Sequence, residues 1–219
     1  MSVVEMPYAD PATIALKAVR VAFFTDNGIA TPDADTVATV RNAASKLEGS
    51  VRSVAKARPE GIEQSYDVEM KMIGPDGADS LRDYLKHIGS EPHHTLLEGW
   101  LRKHEPYRTD LAGFAGYWAE WDRFRTGMQR FLNRFDVILS PVAAFPALPH
   151  GRSIEEETFR GFSYTMTHNM TGWPAAVVRC GTSSDGLPIG VQIAAGQWRE
   201  ELVLAVALRL EQLCGGWKA

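Results

Sequence analysis

The spacing of hydrophobic residues divides the chain into an alternating opening, a long helical middle and a second alternating stretch. The opening run VRVAFF, residues 19 to 24, is β-branched and aromatic, and TDNGIATPD stops it with turn formers. It predicts a strand. Thr31-Pro32-Asp33 then predicts a helix start, with Thr31 as hydroxyl cap, proline in the first helical position and an acid in the first turn. Val37, Val40, Ala44 and Leu47 follow at helical spacing up to Gly49, and SVRSVA predicts a second strand. Strand, helix and strand over residues 1 to 59 make a βαβ unit, which favours a parallel, helix-covered sheet.

Residues 60 to 135 read as helical almost throughout. Phe114, Tyr117, Trp118, Trp121, Phe124, Met128, Phe131 and Phe135 recur three and four apart. Such a stripe predicts packing surface, either core or a face meeting another part of a larger protein. The third stretch, residues 136 to 219, returns to sheet. FDVIL is a buried strand that runs into a proline-punctuated loop, and Ser153 with Glu156 forms a capping box that predicts a helix near Ile154. PAAVVRCG and LPIGVQIAAG flank SSDG as two strands on a tight turn. REELVLAVALRLEQLC is apolar almost all round, which predicts a deeply buried last helix ended by Gly215-Gly216. The expected fold class is α/β, a mixed and mostly parallel sheet flanked by helices, with residues 1 to 219 forming one domain.

Composition narrows the function classes. The 219 residues are 45% hydrophobic and 23% charged, the balance of a soluble globular protein, and no apolar run is long enough for a membrane span. The net charge is −4 with no dense Lys/Arg stripe, so no nucleic-acid partner is expected. The start, MSVVEMPYADPATIAL, lacks the basic and apolar regions of a signal peptide. With only Cys180 and Cys214, each in an apolar setting, the expectation is two buried thiols of a cytoplasmic protein.

Candidate chemistry is sparse. GRSIE at 151 and GFSYT at 161 approach G-x-S-x-G, but each lacks the second glycine that makes the nucleophile elbow. EPHHTLLEGWLRKH holds His93, His94, Glu98 and His104, and His94 and Glu98 share a helix face. The spacing matches no zinc motif, so exposed histidines and no metal are expected. No phosphate-cradling glycine loop occurs and no cofactor is expected. In FSYTMTHNMTGWP, residues 162 to 174, Ser163 and His168 lie five apart, a spacing that suits a hydrogen-bonded dyad in neither helix nor strand. The hydroxyls there read as a helix terminus whose side chains satisfy backbone groups.

FDVILSPVAAFPALP, THNMTGWPAAVVRCG, SDGLPIGVQIAAG and the closing helix together resemble the carboxy-terminal part of the amidase signature family, and residues 186 to 192 carry the most specific motif. LKAVRVAFFTDNGIATPDADTVATVRNAA resembles the segment that follows the family's nucleophile region. The resemblance is weakest through the helical middle. It implies amide hydrolysis by a serine nucleophile, a second serine in a cis peptide and a lysine base, with glycine-rich amides holding the oxyanion. This sequence contains no Gly-Gly-Ser-Ser-Gly-Gly loop and none of its lysines matches the family's base, so no catalytic residue is assigned. The resemblance makes 162 to 174 a border of the substrate cavity, with Phe162, Thr165 and His168 as substrate-binding candidates. Family members that bind amino-acid amides carry an acid where this chain has Phe162. The expectation is therefore a carboxy-terminal amidase part, inactive alone, that meets a small amide substrate only together with the catalytic part. It self-associates through exposed apolar surface. The alternatives are one component of a split amidase and a non-catalytic interaction protein.

Overall fold

The computed structural model describes residues 9–90 and 92–216. The first eight residues, on which the reading against a signal peptide partly rests, and Glu91 lie outside them. The chain opens with two 3-10 turns, Pro11–Thr13 and Leu16–Ala18, and then forms strand β1 (Arg20–Phe23), helix α1 (Ala34–Leu47) and strand β2 (Ser53–Lys56). The helical middle follows as predicted, with α2 (Ser65–Ile73), α3 (Asp79–His87), α4 (Thr95–His104) and α5 (Leu111–Phe131). Next come β3 (Val137–Pro141), α6 (Glu156–Arg160), α7 (Ser163–Thr171), β4 (Ala175–Thr182), β5 (Pro188–Ala195) and α8 (Glu200–Cys214).

The five strands form one mixed sheet in the order β2-β1-β3-β5-β4. β1 runs parallel to both β2 and β3, and β5 is antiparallel to β3 and to β4. Four strands therefore point one way and β5 alone opposes them. Because both faces are covered, β3 is buried at every position, Ser140 included. Val137 and Leu139 enter a core made with Val40 and Leu47 of α1 and Leu202, Val206 and Leu210 of α8. Ile138 points the other way, into a core made with Phe124 and Met128 of α5, Tyr164 of α7 and Trp173. Arg20 and Asp136 clamp the starts of β1 and β3 as a fork, with Nε to Oδ2 at 3.0 Å and Nη2 to Oδ1 at 2.9 Å.

Several local expectations are corrected. The cap of α1 is Asp33, not Thr31: its carboxylate accepts from the Thr36 amide at 2.6 Å, and its own N–H is drawn out of the helix to the Ala144 carbonyl. The Ser153 box does not form. α6 begins at Glu156 with no side-chain cap, and Ile154 instead packs over Gly99 of α4. The last helix is not buried all round, since Leu204 and Leu208 are 47% and 49% exposed on the face turned from the sheet. His104 is not an exposed histidine. It is buried, its ring lies 4.1 Å from Trp100, and its Nδ1 is 2.9 Å from the Trp100 carbonyl. The aromatic stripe of α5 divides, with Phe124 and Met128 in the core and Trp118 half exposed.

The β5–β4 hairpin carries a register shift between Arg179 and Gly181, which lets α1 approach β4 closely. A Cβ on Gly181 would lie 2.2 Å from Thr39 Oγ1, inside any tolerable contact. Gly181→Ala is expected to lower stability by about 1–3 kcal/mol through overpacking, read as a lower urea midpoint at unchanged slope.

Candidate functional site

The loop that leaves β3 turns over the sheet, and Phe162 lies beside it. A cleft of about 880 Å³ opens there, between the loop after β3, the α6–α7 joint, the amino terminus of α4 and the start of β5. Its walls include Val142, Phe145, Leu148, Phe162, Val177 and Ile189, and its polar lining comes from Thr36, Thr95, Ser153, His94 and His150. Among the described residues, none of those lining it is Asp, Glu, Lys or Arg.

Phe162 stands at the α6–α7 joint, perpendicular to Phe145 at a centroid distance of 5.3 Å. Phe145 has room because residue 161 is glycine, where a Cβ would lie 2.2 Å from the ring. The backbone stitches the same place: the Ala144 amide donates to the Gly161 carbonyl and the Asp33 amide to the Ala144 carbonyl, both at 2.9 Å.

Behind this wall a buried polar network fixes α7. The Gln192 carboxamide, on β5, donates to Ser140 Oγ of β3 and to the Tyr164 carbonyl of α7, each at 3.2 Å. The Tyr164 hydroxyl donates to the Ala30 carbonyl at 2.7 Å and accepts from the Asn27 amide at 3.3 Å. Asn27 Nδ2 donates to Ser163 Oγ at 2.8 Å, so this hydroxyl is spent on the loop after β1.

The structure separates the three sequence candidates. Phe162 lines the cleft. Thr165 turns its hydroxyl back to the Phe162 carbonyl at 3.0 Å, and it tightens the joint without lining the cleft. His168 is buried, its Nδ1 has no hydrogen-bond partner, and its ring tilts toward Trp173. Burial holds its imidazole down at about 4, so it is neutral at physiological pH. The sequence reading missed Phe145 and His150, because a proline-rich loop has no period that tells which side chains face inward, and it weighed His94 only as a metal ligand. It also missed Glu69 on α2. Burial pushes this carboxyl up to about 7 against a hydrogen bond with Asn169, and its Oε2 has no partner.

Among the described residues no group of three or more His, Cys, Asp and Glu gathers as a metal set, and no helix is long and apolar enough to cross a membrane. Cys180 and Cys214 are free and only partly buried.

Residues 2–204 match the Amidase family's sequence profile. A glutamyl-tRNA(Gln) amidotransferase component from Desulforapulum autotrophicum is 31% identical over 151 residues, 64% of this chain and 30% of that protein. An acylamidase of Rhodococcus erythropolis is 26% identical over 231 residues, 94% of this chain and 45% of that one. Among solved structures, a fatty acid amide hydrolase superposes with a TM-score of 0.80 at 21% identity, over 96% of this chain and 42% of its own. A 6-aminohexanoate cyclic dimer hydrolase superposes with a TM-score of 0.76 at 24% identity, over 97% and 48%. The chain spans less than half the length of these relatives.

Two outcomes follow from the buried groups. Gln192→Leu is expected to cost about 1–3 kcal/mol in urea denaturation, because Ser140 and the Tyr164 carbonyl lose a buried partner. Glu69 and His168 act oppositely with pH. Glu69, ordinarily 4.5, keeps its proton in the fold up to about 7, so it contributes stability below 4.5 that is lost as pH rises to 7. His168, ordinarily 6.5, contributes stability above 6.5 that is lost as pH falls to about 4. Between 4.5 and 6.5 the slopes cancel. In Glu69→Gln the His168 slope should emerge as a rise of about 1–3 kcal/mol across that interval, with the variant more stable than the native chain at pH 8 by a similar amount. Urea midpoints at pH 4.5, 6.5 and 8 check it, and a variant as level as the native chain refutes it.

Proposed function

The chain belongs to the amidase signature family, and from that premise we propose that it is the carboxy-terminal part of a hydrolase of linear amides, shaping the substrate cleft for a Ser-cisSer-Lys centre that the 219 residues do not themselves supply. The observation that supports this most is the cleft itself. It lies against the 162–174 segment and takes Phe162 as a wall, with side chains that hold and orient rather than react. Of the hydroxyls beside it, Ser163 accepts from Asn27 and Thr165 donates to the backbone, which leaves neither paired with a base.

The part played in turnover is then positional. An amide seated in the cleft presents its carbonyl carbon to a serine oxygen outside this sequence, and the surrounding wall keeps water off the reacting bond. One component of a split amidase is the second reading. It is favoured by the sheet's two outer strands, β2 and β4, each hydrogen-bonded on one side only among the described residues. Such edges invite pairing, and Val177 on β4 is 56% exposed. The purified chain accordingly self-associates by this reading, while its activity awaits a partner.

The test is to mix the chain with a separately produced amino-terminal catalytic half of a related amidase and assay a simple aryl amide. The chain alone should release no product and should elute larger than a monomer. The mixture should elute as a one-to-one complex with amidase activity that a serine-reactive phosphonate abolishes. Amide hydrolysis by the chain alone, sensitive to that phosphonate, would overturn the proposal.

A further inference from the structure

Resting on that reading, we propose that the cleft selects substrates whose bound group is uncharged and apolar, an aryl or branched alkyl group, and rejects those bearing an ammonium or carboxylate. Among the described residues, none that lines it is Asp, Glu, Lys or Arg, so its walls offer an ammonium or carboxylate no oppositely charged partner of those types. A charged group entering would lose its hydration with nothing to replace it, whereas an apolar group gains by every area of surface removed from water. The exposed polar rim does not change this. His94 Nδ1 is already taken up by the Leu96 amide, which donates to it at 3.2 Å.

The cleft is also preformed, which is what selection by shape requires. Its three walls lock together at two glycines. Gly161 lets the Phe145 ring lie against the α6–α7 joint, and Gly190 lets Val177 and Val142 close over β5, where a Cβ would lie 2.6 Å and 3.3 Å from their methyl carbons. Phe145 and Phe162 meet edge to face, and further aromatic rings extend that geometry favourably. About 880 Å³ accommodates a ligand the size of a two-ring amide.

Binding needs no catalytic centre, so the test uses the purified chain at pH 8 and ligand-observed NMR. The probes are N-phenylbenzamide and its 4-aminomethyl derivative, which carries an ammonium. The neutral probe should bind at least ten-fold more tightly. Phe162→Asp, checked for folding by its amide spectrum, should reverse the order. Val177→Asp, at a position 56% exposed and so safe for the fold, should narrow the preference at least three-fold. Equal or tighter binding of the ammonium probe to the native chain would overturn the proposal, as would no binding of the neutral probe by a folded chain. A chain that shows the preference but restores no hydrolysis to a catalytic half keeps this selectivity and loses the amidase reading. Restored hydrolysis that runs fastest on charged amides does the reverse.

Discussion

A single carboxamide decides how the parts of this molecule sit together. Gln192 lies on the one strand that runs against the others, and its two N–H groups reach sideways to β3 and upward to α7. The Tyr164 carbonyl, in the first turn of α7, takes this bond from across the core, and it ties the helix to the sheet. Through Tyr164 it extends to Ala30 and Asn27, and so couples the loop after β1 to the same helix. The cleft wall at Phe162 begins two residues before Tyr164. Its position is thus inherited from a hydrogen-bond network whose members lie outside the cleft lining.

The strands and the long helices were legible in the sequence because their patterns are local. VRVAFF and FDVIL carry enough β-branched residues to announce themselves, and α5 repeats faithfully enough to show at a glance. The errors lie where a distant partner overrules local chemistry. Thr31 had the better capping context, but the Ala144 carbonyl takes the Asp33 amide and moves the boundary. Ser153 had the better box, but Gly99 on another helix offers a seat to Ile154. His104 is the local exception: Trp100, four residues earlier on the same helix, tilts its ring against the imidazole at 4.1 Å and takes it out of the exposed face.

The candidate site was legible only in outline. The family resemblance pointed to the 162–174 segment, while the cleft's composition depends on the loop after β3, whose prolines give no inward or outward period. Glu69 and His168 show the opposite case, buried titratable groups away from the cleft lining whose charge is suppressed by solvent exclusion alone.

The pairing of β1 with β3 has a consequence for how this architecture tolerates change. Arg20 and Asp136 are 116 residues apart, yet they lie side by side, so the helical middle is in effect a long excursion between neighbouring strands. Lengthening an excursion of that size is thermodynamically gentle, since each doubling adds only about 0.6 kcal/mol of closure entropy. The sheet thus places strict demands on β1, β3 and β5 and few on the path between the first two. Loops in that interval can lengthen at little closure cost, while the faces that α1 and α5 pack into the two cores hold the strand framework in register.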